Sequence, residues 1–472
     1  MSGSLLALKI TNRMQVGSAA AIVALLTAAC GAPEMASVSA SEQPPAYVFR
    51  DVAVFDGIDF VEHRDVLVQG DRIESVAASG DLQAPPAAEA IAGSGYTLLP
   101  GLIDSHMHLF SAGEKGGSPP APEDIASAFL FAGVTTTLVA AGFDEVATLQ
   151  ADVLEQGILA PRLFAAGAGL TAPDGHPVPL LRAMLPWPMS ALAARSVVSA
   201  ANADEARAQV RKGIADTRLD FFKIVFDDLP PGSPHLSLEA LRAAVDEARS
   251  NGLRAIVHAT LPEDVIAAID AGAAALVHVP QRGVLSDDQV ARILEARVPV
   301  ITTLRMVSAS HRLAEQGPTD LERQMFEDSL LGPWMAEPAW NLEGFSEEFD
   351  RRQPEVAEIT ETNFRKLLAA GVPLLVGTDS GVHGVFPGAS LHGELQLVAG
   401  LGMAPIEALR SVTSRPAVFL DPSADFGRIA RGYRADLLLV RGNPVEDIAA
   451  VSAIEAVFLG GVRLERHTVG AR

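Results

Sequence analysis

The sequence predicts an α/β protein: a (β/α)8 barrel of the TIM type joined to a small β-sandwich domain that both ends of the chain build together. Three observations carry that expectation. Eight short β-branched runs alternate with helix-compatible segments through the middle of the chain. Both ends read instead as β-hairpins, and neither is long enough to bury a core alone. The 472 residues, 49% apolar and 20% charged, suit one large globular domain plus an accessory unit and exclude disorder, collagen and a polytopic membrane protein.

Residues 1–30 read as an export leader rather than as fold. Lys9 and Arg13 precede an acid-free apolar run from Val16 to Ala29, too short for a permanent membrane span. The run ends in Leu26-Thr27-Ala28-Ala29-Cys30. This resembles a bacterial lipobox, whose cysteine is lipidated and becomes the first mature residue, although Thr27 stands where Leu is usual. The other reading is an ordinary signal cleaved after Ala40. Residues 31–45 read as a flexible tether. Either way the protein is expected in the bacterial envelope or periplasm, touching membrane only through a lipid on Cys30.

Residues 46–98 and 420–472 are expected to pair into the small β domain. Alternating residues around a Gly70-Asp71 turn at one end, and around Gly460-Gly461 at the other, give the hairpin pattern. Residues 99–419 form the barrel. Its predicted strands are Leu102–His106, Thr135–Ala140, Arg162–Ala166, Phe221–Val225, Arg254–His258, Ala275–His278, Val298–Thr303 and Pro373–Thr378. Predicted helices between them include Leu238–Ser250, Asp264–Ala271 and Asp287–Ala296. An open doubly wound sheet is the alternative, because periodicity does not prove closure. Segments 167–203 and 304–355 exceed ordinary loop length after a strand and read as lids over the active face.

The chemistry-bearing residues gather at these strand ends. His106 and His108 close the first predicted strand, two apart and so on one face. His258, His278 and Asp379 close three others, and Lys223 lies within Phe221–Val225. In a barrel those ends converge on one mouth. Imidazoles and a carboxylate suit Zn²⁺ or a similar divalent ion with positions open to water. Lys223 is the odd member, since an ammonium repels cations. Burial lowers a lysine's pKa, however, and a neutral amine can react with CO₂ to give an anionic carbamate that bridges two ions. With one cysteine in the chain, no intrachain disulfide and no thiolate zinc cluster can form. Asp and Glu exceed Lys and Arg by 58 to 36, a net charge of −22, which argues against nucleic acid as a partner.

Leu99-Pro-Gly-Leu-Ile-Asp-Ser-His-Met-His resembles the signature of the amidohydrolase superfamily, as do Gly377-Thr-Asp-Ser-Gly and the stretch from Gly393 to Thr413. The resemblance spans the mature chain and is nearest the imidazolonepropionase-like and Xaa-Pro dipeptidase-like branch. It implies a binuclear centre. His106 and His108 would hold the buried ion, His258 and His278 the more exposed one, and carboxylated Lys223 would bridge them. Asp379 would bind the buried ion and move protons. Two ions sharing a hydroxide lower its pKa toward neutrality, which supplies a nucleophile for an amide, peptide or cyclic amide bond.

His176, in Pro173-Asp-Gly-His-Pro, resembles a Gly-Gly-His element of the branch with Asp174 in place of the first Gly, and is expected to contact substrate. So is His383, four residues past Asp379. His392 reads as a buttress for Asp379 or a substrate contact, while His63, His235, His311 and His467 read as surface residues. Arg182, Arg195, Arg305 and Arg312 are candidates to bind a substrate carboxylate.

Three rival functions stand beside this one. A mononuclear deaminase would carry Glu where Leu261 stands. A phosphotriesterase or lactonase would use the same ligands on esters, and a non-catalytic envelope lipoprotein would use none. The partner expected is a small molecule, and the sequence is compatible with a homo-oligomer. Export favours peptides or N-acyl amino acids over a cytosolic catabolic intermediate.

Overall fold

The computed structural model describes residues 46–109, 122–142, 159–184, 197–216, 218–327, 345–382 and 384–466. Cys30, the expected leader and tether, and His383 lie outside the described residues. Strands β1 (Ala46–Phe55), β2 (Phe60–Gln69) and β3 (Arg72–Ala78) form an antiparallel meander. β4 (Glu89–Ala92) and β5 (Tyr96–Pro100) run parallel to β1.

The middle of the chain holds two parallel sheets. The first orders β6 (Leu102–Met107), β7 (Val134–Val139) and β8 (Arg162–Ala165). The second contains β9 (Gly169–Thr171), β10 (Val197–Ser199), β11 (Phe221–Val225), β12 (Arg254–His258), β13 (Ala275–Val277), β14 (Val300–Thr302) and β15 (Leu374–Val376). Its order is β10-β9-β11-β12-β13-β14-β15. Hydrogen bonds link the two sheets at both sides. Asp220 N and Lys223 N donate to Ala165 O and Ala166 O at 2.9 and 3.2 Å, joining β8 to β11. Thr378 N and Asp379 N donate to His106 O at 3.1 and 2.8 Å, joining β15 to β6.

Strand alternation sorts the side chains into two layers. Ile103, Leu138, Ala166, Phe221, Ile256, Val277, Ile301 and Leu375, one from each of β6, β7, β11 to β15 and the end of β8, meet in a single cluster. Their neighbours Leu102, Phe222, Ala255, Val257, Leu276, Val300 and Leu374 pack outward against helices. The helix Leu238–Ser250 buries Leu241, Ala244, Val245 and Ala248 on that side and is capped by Ser237, whose hydroxyl accepts from Ala240 N. Ser286 and Gln289 form a capping box at the start of Asp287–Ala296. Pro262 sits in the first turn of Pro262–Ala271, where a missing N–H costs nothing.

The two long segments carry secondary structure of their own. Residues 167–203 contain β9 and β10, which extend the second sheet beyond β11, and a helix over Val178–Met184. Residues 304–355 contain helices Leu304–Val307, Ala309–Gln316, Asp320–Glu327 and the start of Phe345–Ala370. Among the described residues no helix is long and apolar enough to cross a membrane.

β16 (Leu437–Arg441), β17 (Ile454–Leu459) and β18 (Val462–Leu464) join the first five strands in one eight-stranded sheet, because β16 pairs antiparallel with β5. This sheet is strongly curled. β5 and β16 separate β1 from β17, so a flat sheet would hold β1 and β17 about 14 Å apart. Instead the Phe49 and Phe458 rings meet edge to face at 5.3 Å, with Tyr47 on the same ring at 5.2 Å. The free edge of β3 also bonds forward, through Ile73 N to Tyr433 O and Gly432 N to Ile73 O.

Candidate metal centre

β6 delivers the first two histidines through a break in its own alternation. Ile103 faces the inner cluster, while His106, three residues later, faces Asp379 and His278, and the register with β7 shifts between Asp104 and Met107. β15 reaches the same point through Gly377. A Cβ there would stand 2.8 Å from His106 N and 2.9 Å from His106 Cβ, so only glycine lets the two strand ends close. His278 and Asp379 follow their strands with φ of 74° and 61°, left-handed backbone that non-glycine residues adopt at a cost.

The side chains converge. His106 Nε2 and His108 Nε2 lie 3.1 and 2.8 Å from Asp379 Oδ1. His106, His278 and Asp379 offer ligand atoms all within 4.8 Å of one another. The His278 ring stands 5.2 Å from His106 and 4.5 Å from His258, and His176 stacks beside His258 at 4.9 Å. The Lys223 side chain, 3% exposed, reaches the same space from β11, where it interacts electrostatically with Asp379 and His106.

The electrostatics suit ligands rather than charges at rest. Burial drives His106 and His176 down to about 3, with neighbouring Lys223 and His258 adding to the effect, and it drives His278 well below its usual value. His106, His176 and His278 are therefore neutral at neutral pH. Burial also brings Lys223 down to about 7, with the Asp379 charge resisting. Burial raises Asp379, but its contacts with His106 and then His108 outweigh that and hold the carboxyl well below its ordinary range.

One contact tests whether a cation fits. His108 Nδ1 is 3.2 Å from Ala141 O, a carbonyl that only accepts, so Nδ1 carries the proton. A neutral His108 then aims its Nε2 lone pair at the Asp379 carboxylate 2.8 Å away. Two lone pairs at that distance repel unless a proton or a cation lies between them. Among the described residues the buried His106 Nδ1 has no hydrogen-bond partner. The donor set fits a divalent ion.

Sequence reasoning missed three polar groups beside the site. Asp104 is fully buried and accepts from His106 N and from Thr378. Asp227 lies two residues past β11, accepting from His258 Nε2 at 3.1 Å, Arg282 Nη2 at 3.0 Å and the Thr260 hydroxyl. Burial raises Asp227, but His258, His176 and Arg282 together hold it far below its ordinary range. Glu394 accepts from Leu304 N and Arg305 N at 2.8 and 2.7 Å, fixing the turn after β14. Asp227 and Arg282 could have been found by scanning for charged residues just beyond each predicted strand.

Other expected contacts fall elsewhere. His392 is buried and bonds Ala132 O at 2.8 Å and Ser452 at 3.2 Å, so it buttresses the backbone after the first helix rather than Asp379. Arg305 and Arg312 share the buried Glu322, and Arg182 pairs with Asp174. These three are therefore engaged. Arg195 lies outside the described residues.

Two inward-facing sheets, four imidazoles, a lysine and a carboxylate at the strand ends define a metal-dependent hydrolase type of site. A family model described as the Amidohydrolase family matches residues 97–464, so the chain belongs to that family. Members of this family generally bind divalent metals. The imidazolonepropionase of Anaeromyxobacter dehalogenans is 28% identical over 408 residues, covering 79% of this chain and 83% of that protein. The ochratoxinase of Aspergillus niger is 25% identical over 270 residues, 56% of this chain, and the match spans about half, 49%, of its length. A solved Xaa-Pro dipeptidase with bound methionine superposes with a TM-score of 0.69 at 22% identity, covering 89% of this chain and all, 100%, of that one. That likeness bears on the fold.

Proposed function

We propose that this protein is an exported metal-dependent amidohydrolase that cleaves an amide, peptide or cyclic amide C–N bond of a small molecule, such as a dipeptide or N-acyl amino acid. The observation that carries it is the Asp379 carboxylate facing the Nε2 atoms of His106 and His108 inside a shell of further imidazoles. His106, His108 and Asp379 would hold one ion, His258 and His278 a second, and Lys223, as its carbamate, both. When bound, the ions, Zn²⁺ in this reading, would supply an activated water and polarise the scissile carbonyl. Asp379 takes the proton of that water and returns it to the leaving amine, one group serving as base and then acid. His176, held by Leu229 O through Nδ1, turns Nε2 toward substrate, and His383 is a second contact in this proposal.

The same reading covers the architecture. The bonds from β8 to β11 and from β15 to β6, with an inner cluster drawn from all eight strands, support one closed (β/α)8 barrel over residues 99–419. The curl of the sheet made by 46–98 and 420–472 supports a two-layered β domain of sandwich type. Residues 1–30 are the leader, Cys30 carries the lipid, and 31–45 are the tether.

Zinc-loaded protein screened against dipeptides and N-acyl amino acids tests the activity. Turnover of one amide class by protein holding two ions is expected. Protein that binds no divalent ion, or that turns over only lactones or phosphotriesters, would overturn it.

A further inference from the structure

We infer that Asp227 is a positioning residue: it fixes His258 as the Nε2–H tautomer, so that Nδ1 carries the lone pair offered to a divalent cation. This rests on the metal-site reading above and assigns a role that the ligands themselves do not reveal. An ionised carboxylate only accepts, so the 3.1 Å contact between Asp227 Oδ2 and His258 Nε2 requires the proton on Nε2. A neutral imidazole then has one lone pair left, on Nδ1.

Asp227 is built to hold that position. It is 1% exposed, so water does not compete for it. The Arg282 guanidinium donates to Asp227 Oδ1 at 3.0 Å, grips Asp228 as well, and reaches Thr260 Oγ1 through Nε at 3.1 Å. Thr260 in turn donates to Asp227 Oδ2. The backbone is tied in too, since Phe226 N donates to His258 O at 2.9 Å. The His258 ring is flanked by His176 and His278 at 4.9 and 4.5 Å, so the carboxylate sets its tautomer while the rings set its tilt. Partners of this kind raise ligand basicity, and their loss weakens metal binding about 10–100-fold.

The test is a chelator-competition titration with zinc on wild type, Asp227→Asn, His258→Ala and the double variant. Asp227→Asn is expected to weaken one of two ions about 10–100-fold and leave the other unchanged. In the His258→Ala background the same substitution is expected to have almost no effect. If wild type binds two ions and Asp227→Asn matches it, or if the loss persists without His258, the positioning role is wrong. If wild type binds no zinc, the metal-site reading itself fails. Should Asp227→Asn not fold, ¹⁵N-histidine NMR of the wild-type apo protein gives the tautomer directly. A protonated Nε2 on His258 is expected, and a protonated Nδ1 would overturn the inference.

Discussion

Thr378 donates its hydroxyl to Asp104 Oδ2 at 2.6 Å across 274 residues of sequence, and its amide donates to Oδ1 of the same carboxylate at 3.1 Å. Asp104 also accepts from His106 N. One buried group therefore joins the neighbours of two proposed ligands. Burial pushes Asp104 up to about 7, and the three donors oppose that rise. Thr378→Val removes one donor at constant shape and leaves a buried acceptor unpaired, a cost of about 1–3 kcal/mol. A lower urea midpoint together with weaker zinc binding is expected. A stable variant with unchanged zinc affinity would show that the link does not align the site.

Asp379→Asn separates holding from proton transfer. Asparagine keeps an oxygen in place but neither takes nor returns a proton. General acid–base catalysis is worth about 10²–10⁴-fold, so kcat should fall by that order with metal content retained. A fully loaded variant with near wild-type kcat would transfer the proton role to another group.

Lys223→Ala should remove one or both ions, read by elemental analysis. Because the buried amine lies near 7 rather than at its usual value, CO₂ can capture it at neutral pH. Bicarbonate is thus expected to speed reconstitution of wild-type apo protein and to do nothing for the variant. Equal metal content in both proteins would remove the lysine from the centre.

Acid stability is expected to depend on Asp65 in the β domain. Burial raises this carboxyl, but the Asp51 amide, the Arg50 guanidinium and the Gly80 amide outweigh it and hold it below its ordinary value. A depressed carboxylate stabilises the fold above its unfolded pKa of about 3.9 and loses that contribution as pH falls through the lower folded value. Asp65→Asn should therefore melt lower at neutral pH, by the equivalent of about 1.5–3 kcal/mol, with the difference closing toward pH 2. A constant difference across the range would show that packing, not charge, is responsible.

Cys30→Ser tests the leader. A soluble, still active protein is expected, while the wild type partitions with membranes. A mature N-terminus mapped well past Cys30 and free of lipid would replace the anchor with ordinary export.

The strands at 221–225 and 254–258 and the helix at 238–250 were legible to the residue, because each carries a clean period and a cap or turn at its ends. The residue types that converge on the candidate site were legible for a related reason: charged and imidazole side chains at the ends of apolar runs have few other uses. Their aim was not. His106 depends on a register shift, and His278 and Asp379 on left-handed backbone, none of which a side-chain period encodes. Asp227 and Arg282 stayed hidden because their pairing links loops 55 residues apart. The short strands and helix turn within segments 167–203 and 304–355 went unseen because they carry too few residues to show a period.

The sheet built from both chain ends has a consequence for the order of assembly. Thr97 Oγ1 bonds Gly442 O across 345 residues, and the whole β5–β16 ladder has comparable reach. Contacts this remote repay their loop-closure entropy only after everything between them has collapsed, so they form slowly and late. The amino-terminal hairpins must wait with an unsatisfied edge until the last strands emerge. For the exported protein proposed above, that delay would keep the final clasp open until the carboxy-terminal residues have crossed.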